Sequence, residues 1–291
     1  MQSRLEKLIE KEDFITFFDY FFMVLGAIFL ASGVMFFIAY NWQVLGKFFK
    51  FFLVEAGIVG SFLLSYRLDE KSIGFKSSIL VGSFLIGVLM ALFGQVYQSG
   101  AESYELFLYW AVIVLPIAIL SRFSWIWVFE VVLLNFVIYL FKWYFTGYYY
   151  DVRAFSLAIL NGIIFVVWSI LSDKVEFLNQ KYATRVIATL AIFWMGFAMQ
   201  ELIFSRYSAD GWIAIFSILL AIFTFYRYRY KELDIYILSI LVLCLNLIVA
   251  SAILRFSGSF YGSIITGAIV MIPVGFFSIA WLKNLGEQDE K

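Results

Sequence analysis

Apolar residues come in this chain in blocks of roughly twenty, repeated from about residue 21 to about residue 282. That is the length at which a helix spans a hydrocarbon core, and no other feature of the sequence constrains the fold as tightly. Inside a bilayer the backbone N–H and C=O groups have to be satisfied without water, which leaves helices or closed barrels. Barrel strands would alternate apolar and polar residues, and the blocks show no such alternation. The fold expected is therefore all-α, a polytopic transmembrane helical bundle. Ten spans are read, at about 21–40, 48–66, 77–95, 101–120, 123–141, 154–171, 184–204, 211–226, 235–254 and 260–282.

Composition agrees. Of 291 residues, 64% are apolar and 14% charged, whereas a soluble domain is about half apolar and about a quarter charged. The connections are short and none is rich in Pro, Gly or Ser. One integral membrane domain over 1–291 is the economical reading, with a short N-terminal segment (1–20) and a short tail (283–291). The first apolar run, Phe21 to Tyr40, is too long for a signal-peptide core and no small-x-small cleavage site follows it, so no cleavable leader is expected.

Orientation follows from where Lys and Arg fall, because they accumulate in cytoplasmic connections. The two tails and the connections after spans 2, 4, 6 and 8 hold fifteen of them, the opposite connections six. Both termini are then expected in the cytoplasm of a bacterial cell, the protein crossing its inner membrane an even number of times. Facing outward would be "NWQVLGK" (41–47), the stretch 94–110, "TGYYYD" (146–151), "SRYSADGW" (205–212) and "RFSGSFYG" (255–262), all rich in Tyr or Trp. An aromatic belt at the headgroup level accounts for most of those rings. The inner connection "YRYRYKE" (226–232) reads as interfacial anchoring and inside-positive bias rather than as a nucleic-acid surface.

Several chemistries are excluded at the outset. The chain has no histidine and one cysteine, Cys244, which sits in an apolar run. The usual general base, zinc ligand and haem ligand are missing together, and neither an intrachain disulfide nor a CxxC pair can form. No cofactor and no metal are expected. The net charge of zero gives no reason to expect nucleic acid. Partners are the lipid bilayer and an unidentified solute or membrane protein.

Two carboxylates stand where a membrane does not welcome them. Glu55 follows "KFFKFFLV", a turn and a half past Lys50, and Glu130 lies near the middle of span 5. A charge at a helix centre costs about 2.5–3.5 kcal/mol on insertion scales. No Lys or Arg lies at mid-span, so each glutamate must be protonated, hydrogen-bonded, open to water or bound to a cation, with Lys50 able to reach toward Glu55. Asn135, Asn161 and Asn246, also within spans, are candidate hydrogen-bond partners. An ion or solute path would use Glu55, Glu130 and Asn135; the alternative is a pair of neutral acids joining helices. Elsewhere Ala27 and Ala31, and Ala56 and Gly60, have the four-residue spacing of close helix contacts. Pro116 and Pro273 fall inside spans, where kinks are expected.

The most polar interior stretch is "GQVYQSGAESYELFLYW" (94–110). Ser99 and Glu102 have the spacing of a capping box that would start span 4, and Glu102 and Glu105 suit the positive end of that helix. Gln95, Tyr97 and Gln98 are not covered by that account and would suit the mouth of a pocket for a polar or cationic solute. A candidate outer-loop site comprises Asn41, Trp42, Gln95, Tyr97, Gln98, Glu102, Tyr104, Glu105 and Trp110. A tight capped loop with interfacial tyrosines explains the stretch equally well.

Span 1 ending in "FFIAYNW" and the later "GQVYQSGAESYELFLYWAVIVLPIAIL" resemble the bacterial membrane-protein family catalogued as domain of unknown function 2157. The matching positions are Asn41, Trp42, Gln95, Tyr97, Gln98, Gly100, Ala101, Glu102, Tyr104, Leu106, Phe107, Trp110, Leu115 and Pro116, within about residues 20–120. The resemblance implies a multi-pass inner-membrane protein and brings no substrate, cofactor or catalytic residue. Three functions are left open: a small transporter or permease using buried carboxylates for a proton or cation, a non-catalytic envelope component that binds a membrane protein or senses the envelope through its outer loops, and, last, an intramembrane enzyme.

Overall fold

The structure, a computed structural model, describes residues 2–98, 100–146, 150–204, 211–256 and 260–289. These form ten helices: α1 (Gln2–Tyr40), α2 (Lys47–Arg67), α3 (Ile73–Tyr97), α4 (Ser103–Ser121), α5 (Ser124–Thr146), α6 (Tyr150–Leu171), α7 (Lys181–Phe204), α8 (Trp212–Tyr226), α9 (Ile235–Phe256) and α10 (Phe260–Asp289). All ten contain a segment long and apolar enough to cross a membrane, and there is no strand among the described residues. The all-α, ten-span reading holds. α1 and α10 extend well beyond the expected spans, and α1 runs unbroken through residue 20 with its apolar part beginning at Phe14. Both Pro116 and Pro273 lie inside helices that continue past them. Ser99 and residues 147–149, 205–210 and 257–259 of the outer connections lie outside the described residues.

Outward faces of the helices are as apolar as the interior. Phe29, Phe36, Phe52, Ile222 and Leu243 are all largely exposed. Water would not tolerate so extensive an apolar surface, and hydrocarbon would.

The chain divides into two compact units, Met1–Leu140 and Phe141–Lys291, within what the sequence presents as one membrane domain. In the first, α1, α2 and α4 each run against α3. Met23 and Ala27 of α1, Leu80 and Ile86 of α3, Val114 and Ala118 of α4, and Ile126 and Leu133 of α5 share one core. Small residues let α3 serve as that hub. A side chain on Gly82 would strike the Phe62 ring of α2, and one on Gly87 would strike the indole of Trp110 on α4. Of the two small-residue pairs read from the sequence, Ala27 and Ala31 are buried. Ala56 and Gly60 face outward instead.

In the second unit α7 is the central helix, against α6, α8 and α9, with α10 lying along α9. Ala154 and Ala158 of α6 meet Ala198 of α7 and Ile213 of α8 in a small core. Gly196 of α7 faces the Cys244 sulfur of α9, whose thiol is directed at the Ile192 carbonyl 3.5 Å away. Close approach through small residues is the packing expected where lipid supplies no hydrophobic drive.

Candidate functional site

The two glutamates occupy opposite environments. Glu55 is the ninth residue of α2 and is exposed, on the face it shares with Phe52, Val59 and Leu63. No hydrogen bond or ion pair reaches it among the described residues. Lys50 does not turn toward it; the ammonium sits 3.5 Å above the Trp42 ring and the side chain is buried. Desolvated cation–π contact of this kind is worth about 2 kcal/mol, more than a lysine gains by reaching along the helix to an exposed carboxylate.

Glu130 is only 5% exposed. It lies on the face of α5 that carries Ile126 and Leu133 into the first unit's core, and its Oε1 has no hydrogen-bond partner among the described residues. The buried Ser83 hydroxyl and Trp127 indole N–H of the same unit also have no partner among the described residues. Asn135 spends its amide on the Val131 carbonyl of its own helix, 2.8 Å away, and Asn161 does the same with Leu157. Asn246 donates to Ser278 of α10 at 3.3 Å. None of the three asparagines answers Glu130, and an exposed Glu55 does not share its surroundings.

The candidates at the α1–α2 connection and the end of α3 do come together. Trp42 and Gln95 line one shallow cleft with Ile38, Val88 and Leu92, its volume about 60 Å³. Solute pockets run to several hundred Å³, so this cleft suits a water or a lipid methyl group. Lys47 sits 3.9 Å above the Tyr97 ring, which also packs on Phe93 and Phe51. Lys50 over Trp42 thus ties the connection to α2, while Lys47 ties the start of α2 to the end of α3. The Asn41 amide closes the end of α1 on the Phe37 carbonyl, at 2.8 Å.

The start of α4 is capped three residues later than the sequence suggested. Gln98 adopts a left-handed conformation (φ 45°) and Gly100 another (φ 66°), which turns the chain. Glu102 then becomes the N-cap and Glu105 completes the capping box. The Glu105 carboxylate accepts from the Glu102 N–H at 3.1 Å and from the Tyr104 hydroxyl at 3.5 Å. Both acids of this stretch serve the helix start. Gln98 remains exposed. Trp110 lies deeper in α4, donating its indole N–H to the Ser83 carbonyl of α3 at 2.8 Å, apart from the other eight.

At one end of the second unit lies a polar cavity that the sequence did not single out. The last turn of α8 opens into a π-helical turn, Arg227–Lys231, a geometry that is rare and frequent at functional sites. It carries Arg227 and Tyr228 inward, both buried, so interfacial anchoring fits Tyr230 and Lys231 but not these two. The Tyr228 hydroxyl is 3.0 Å from that of Ser169. Arg227 pairs with Asp173 and, at 3.1 Å, with Glu232. Beside them the Arg185 Nε donates to Asp234 at 2.9 Å. Arg185, Tyr228, Glu232 and Asp234 edge a cavity of about 370 Å³. Its signal in the sequence was the concentration of Asp173, Arg185, Arg227, Glu232 and Asp234 at the ends of four spans, which charge counting assigns to orientation alone.

Residues 2–127 match the family model described as Predicted membrane protein (DUF2157). The resemblance read in residues 20–120 is borne out. No curated protein and no solved structure matches the chain. The DUF2157 segment takes in α1 to α4, with the Trp42–Lys50 and Lys47–Tyr97 clamps, the Glu102–Glu105 cap and Glu55. Glu130 and the polar cavity of the second unit fall beyond it.

Proposed function

We propose that this is a non-catalytic component of a bacterial inner membrane, with both termini cytoplasmic, that holds a second membrane protein against α2. The observation that carries this reading is Glu55, exposed and unpartnered among the described residues. It is nine residues into a 21-residue helix, which puts it about 12 Å from the helix start. A carboxyl facing hydrocarbon at that depth carries an insertion cost of about 2.5–3.5 kcal/mol. A partner helix with a basic or amide side chain at the same depth removes it. Ala56 and Gly60 on the outward side of α2 let such a helix approach closely.

The test is photo-crosslinking from position 59 of α2 in membranes, with purification in mild detergent. A discrete membrane-protein adduct is expected, lost in both Glu55→Leu and Gly60→Leu. An adduct pattern identical in wild type and both variants removes the reading.

Transport is favoured by a separate observation, the buried and unpartnered Glu130 Oε1. With Glu55 on an outward face, an ion path rests on Glu130 alone. Proton or monovalent-cation flux in proteoliposomes that Glu130→Gln abolishes and Glu55→Gln leaves intact would establish this second reading; flux equal in wild type and Glu130→Gln would end it.

A further inference from the structure

We propose that the polar cavity of the second unit binds a phosphate-bearing group. It is edged by the α6–α7 connection, the first turn of α7 and the π-helical turn leading into α9. The argument lies in which hydrogen-bonding groups on its wall are already used.

The two acids that line it are committed. Asp234 accepts from Arg185 at 2.9 Å through Oδ2 and from the Ile237 N–H at 3.2 Å through Oδ1, capping α9. Glu232 is paired with Arg227 at 3.1 Å. The donors are not exhausted. Arg185 gives a single N–H, from Nε, to the protein; a guanidinium carries five, so both terminal amino groups lack a protein acceptor among the described residues. The Thr184 hydroxyl accepts from the Trp168 indole at 3.1 Å and keeps its own hydrogen to donate. The Asn179 side-chain amide makes no bond among the described residues, and Lys181 adds a second positive charge to the wall.

Lys181 is also the first residue of α7, a helix of 24 residues. The positive end of its dipole therefore points at the same space. An arginine fork, a hydroxyl, an amide and a helix start converging on one cavity match a tetrahedral oxyanion. At about 370 Å³ the space exceeds inorganic phosphate and leaves room for the group esterified to it. The ends of spanning helices lie at the headgroup level, so the phosphate can come from a lipid headgroup or from a soluble ester. The π-helical turn gains a reason here. An α-helical turn would rotate Tyr228 away from Ser169 and Arg227 away from Glu232, and free that acid to oppose the anion.

The experiment follows the unfolding midpoint of the full chain in neutral detergent at fixed ionic strength. Probes are inorganic phosphate, glycerol 3-phosphate and, in mixed micelles, phosphatidylglycerol against diacylglycerol. A saturable rise with phosphate compounds and none with diacylglycerol is expected. The concentration needed should increase about tenfold or more in Arg185→Gln and in Lys181→Gln. Lys181 is exposed, so its variant tests the site even if Arg185→Gln fails to fold for want of the Asp234 bridge. A rise with the two soluble probes assigns a soluble ester; a rise with the lipid alone assigns a headgroup. No rise with any phosphate probe, or a rise unchanged in Lys181→Gln and any folded Arg185→Gln, overturns the proposal.

Discussion

Glu130 and Trp110 show how differently single polar groups fare in the same core. The Trp110 indole finds the Ser83 carbonyl at 2.8 Å and covers Gly87, whose missing side chain makes room for the ring. Gly87→Leu must displace that indole, cost its N–H the Ser83 carbonyl, and overfill the α3–α4 contact. It should destabilise by about 1–3 kcal/mol or more, read as a lower unfolding midpoint in detergent. Glu130 has the opposite expectation. Its Oε1 is buried with nothing to accept from, a deficit of about 1–3 kcal/mol. Glu130→Leu keeps the apolar contacts of the α5 core face and removes the deficit, so its midpoint should rise. A fall would mean that the carboxyl joins helices through contacts it makes only in the membrane. A rise would mean that the acid is kept at a cost to stability, which is the mark of a functional group.

At the scale of elements, the spans were legible because membrane helices announce themselves by length and composition, and the ten expected segments are the ten helices. Helix ends were less legible. Nothing local says that the turn at Gln98 and Gly100 delays α4 until Ser103, which moves the capping box from Ser99–Glu102 to Glu102–Glu105. Side-chain destinations were least legible, since they depend on neighbours remote in sequence. Lys50 chose the Trp42 ring over Glu55, and "YRYRYK" became a π-helical turn because Tyr228 meets Ser169, 59 positions away. That first choice can be tested. If the Lys50–Trp42 contact clamps the α1–α2 connection onto α2, then Trp42→Leu and Lys50→Met should each destabilise by a similar amount, about 1–2 kcal/mol, read from the unfolding midpoint. The double variant should lose little beyond either single change, because both remove one interaction. Full additivity would show that the two side chains stabilise the protein independently.

For the whole molecule the open quantity is orientation, and it can be tied to the span count in one set of measurements. Lys and Arg crowd the tails and the even-numbered connections, fifteen to six, which favours the cytoplasm for residues 68–72 and 172–180 alike. Both segments follow an even number of helices, α2 and α6, although they belong to different units. If every intervening helix crosses the bilayer, they must lie on the same side, and the connection at 41–46 on the other. The single native cysteine is buried against Ile192, so Cys244→Ser gives a background of near-equal volume. Val44→Cys, Glu70→Cys and Lys174→Cys then place one thiol at a time on exposed connection residues. A membrane-impermeant maleimide should label position 44 in intact cells, and positions 70 and 174 only after permeabilisation. Labelling of 70 and 174 from outside, with 44 protected, would invert the molecule and put the phosphate-binding cavity on the outer face. Labelling of 70 and 174 from opposite sides would mean that an odd number of α3 to α6 cross. One of those four helices would then lie in the membrane without traversing it, and the charge asymmetry would have to be recounted from that helix onward.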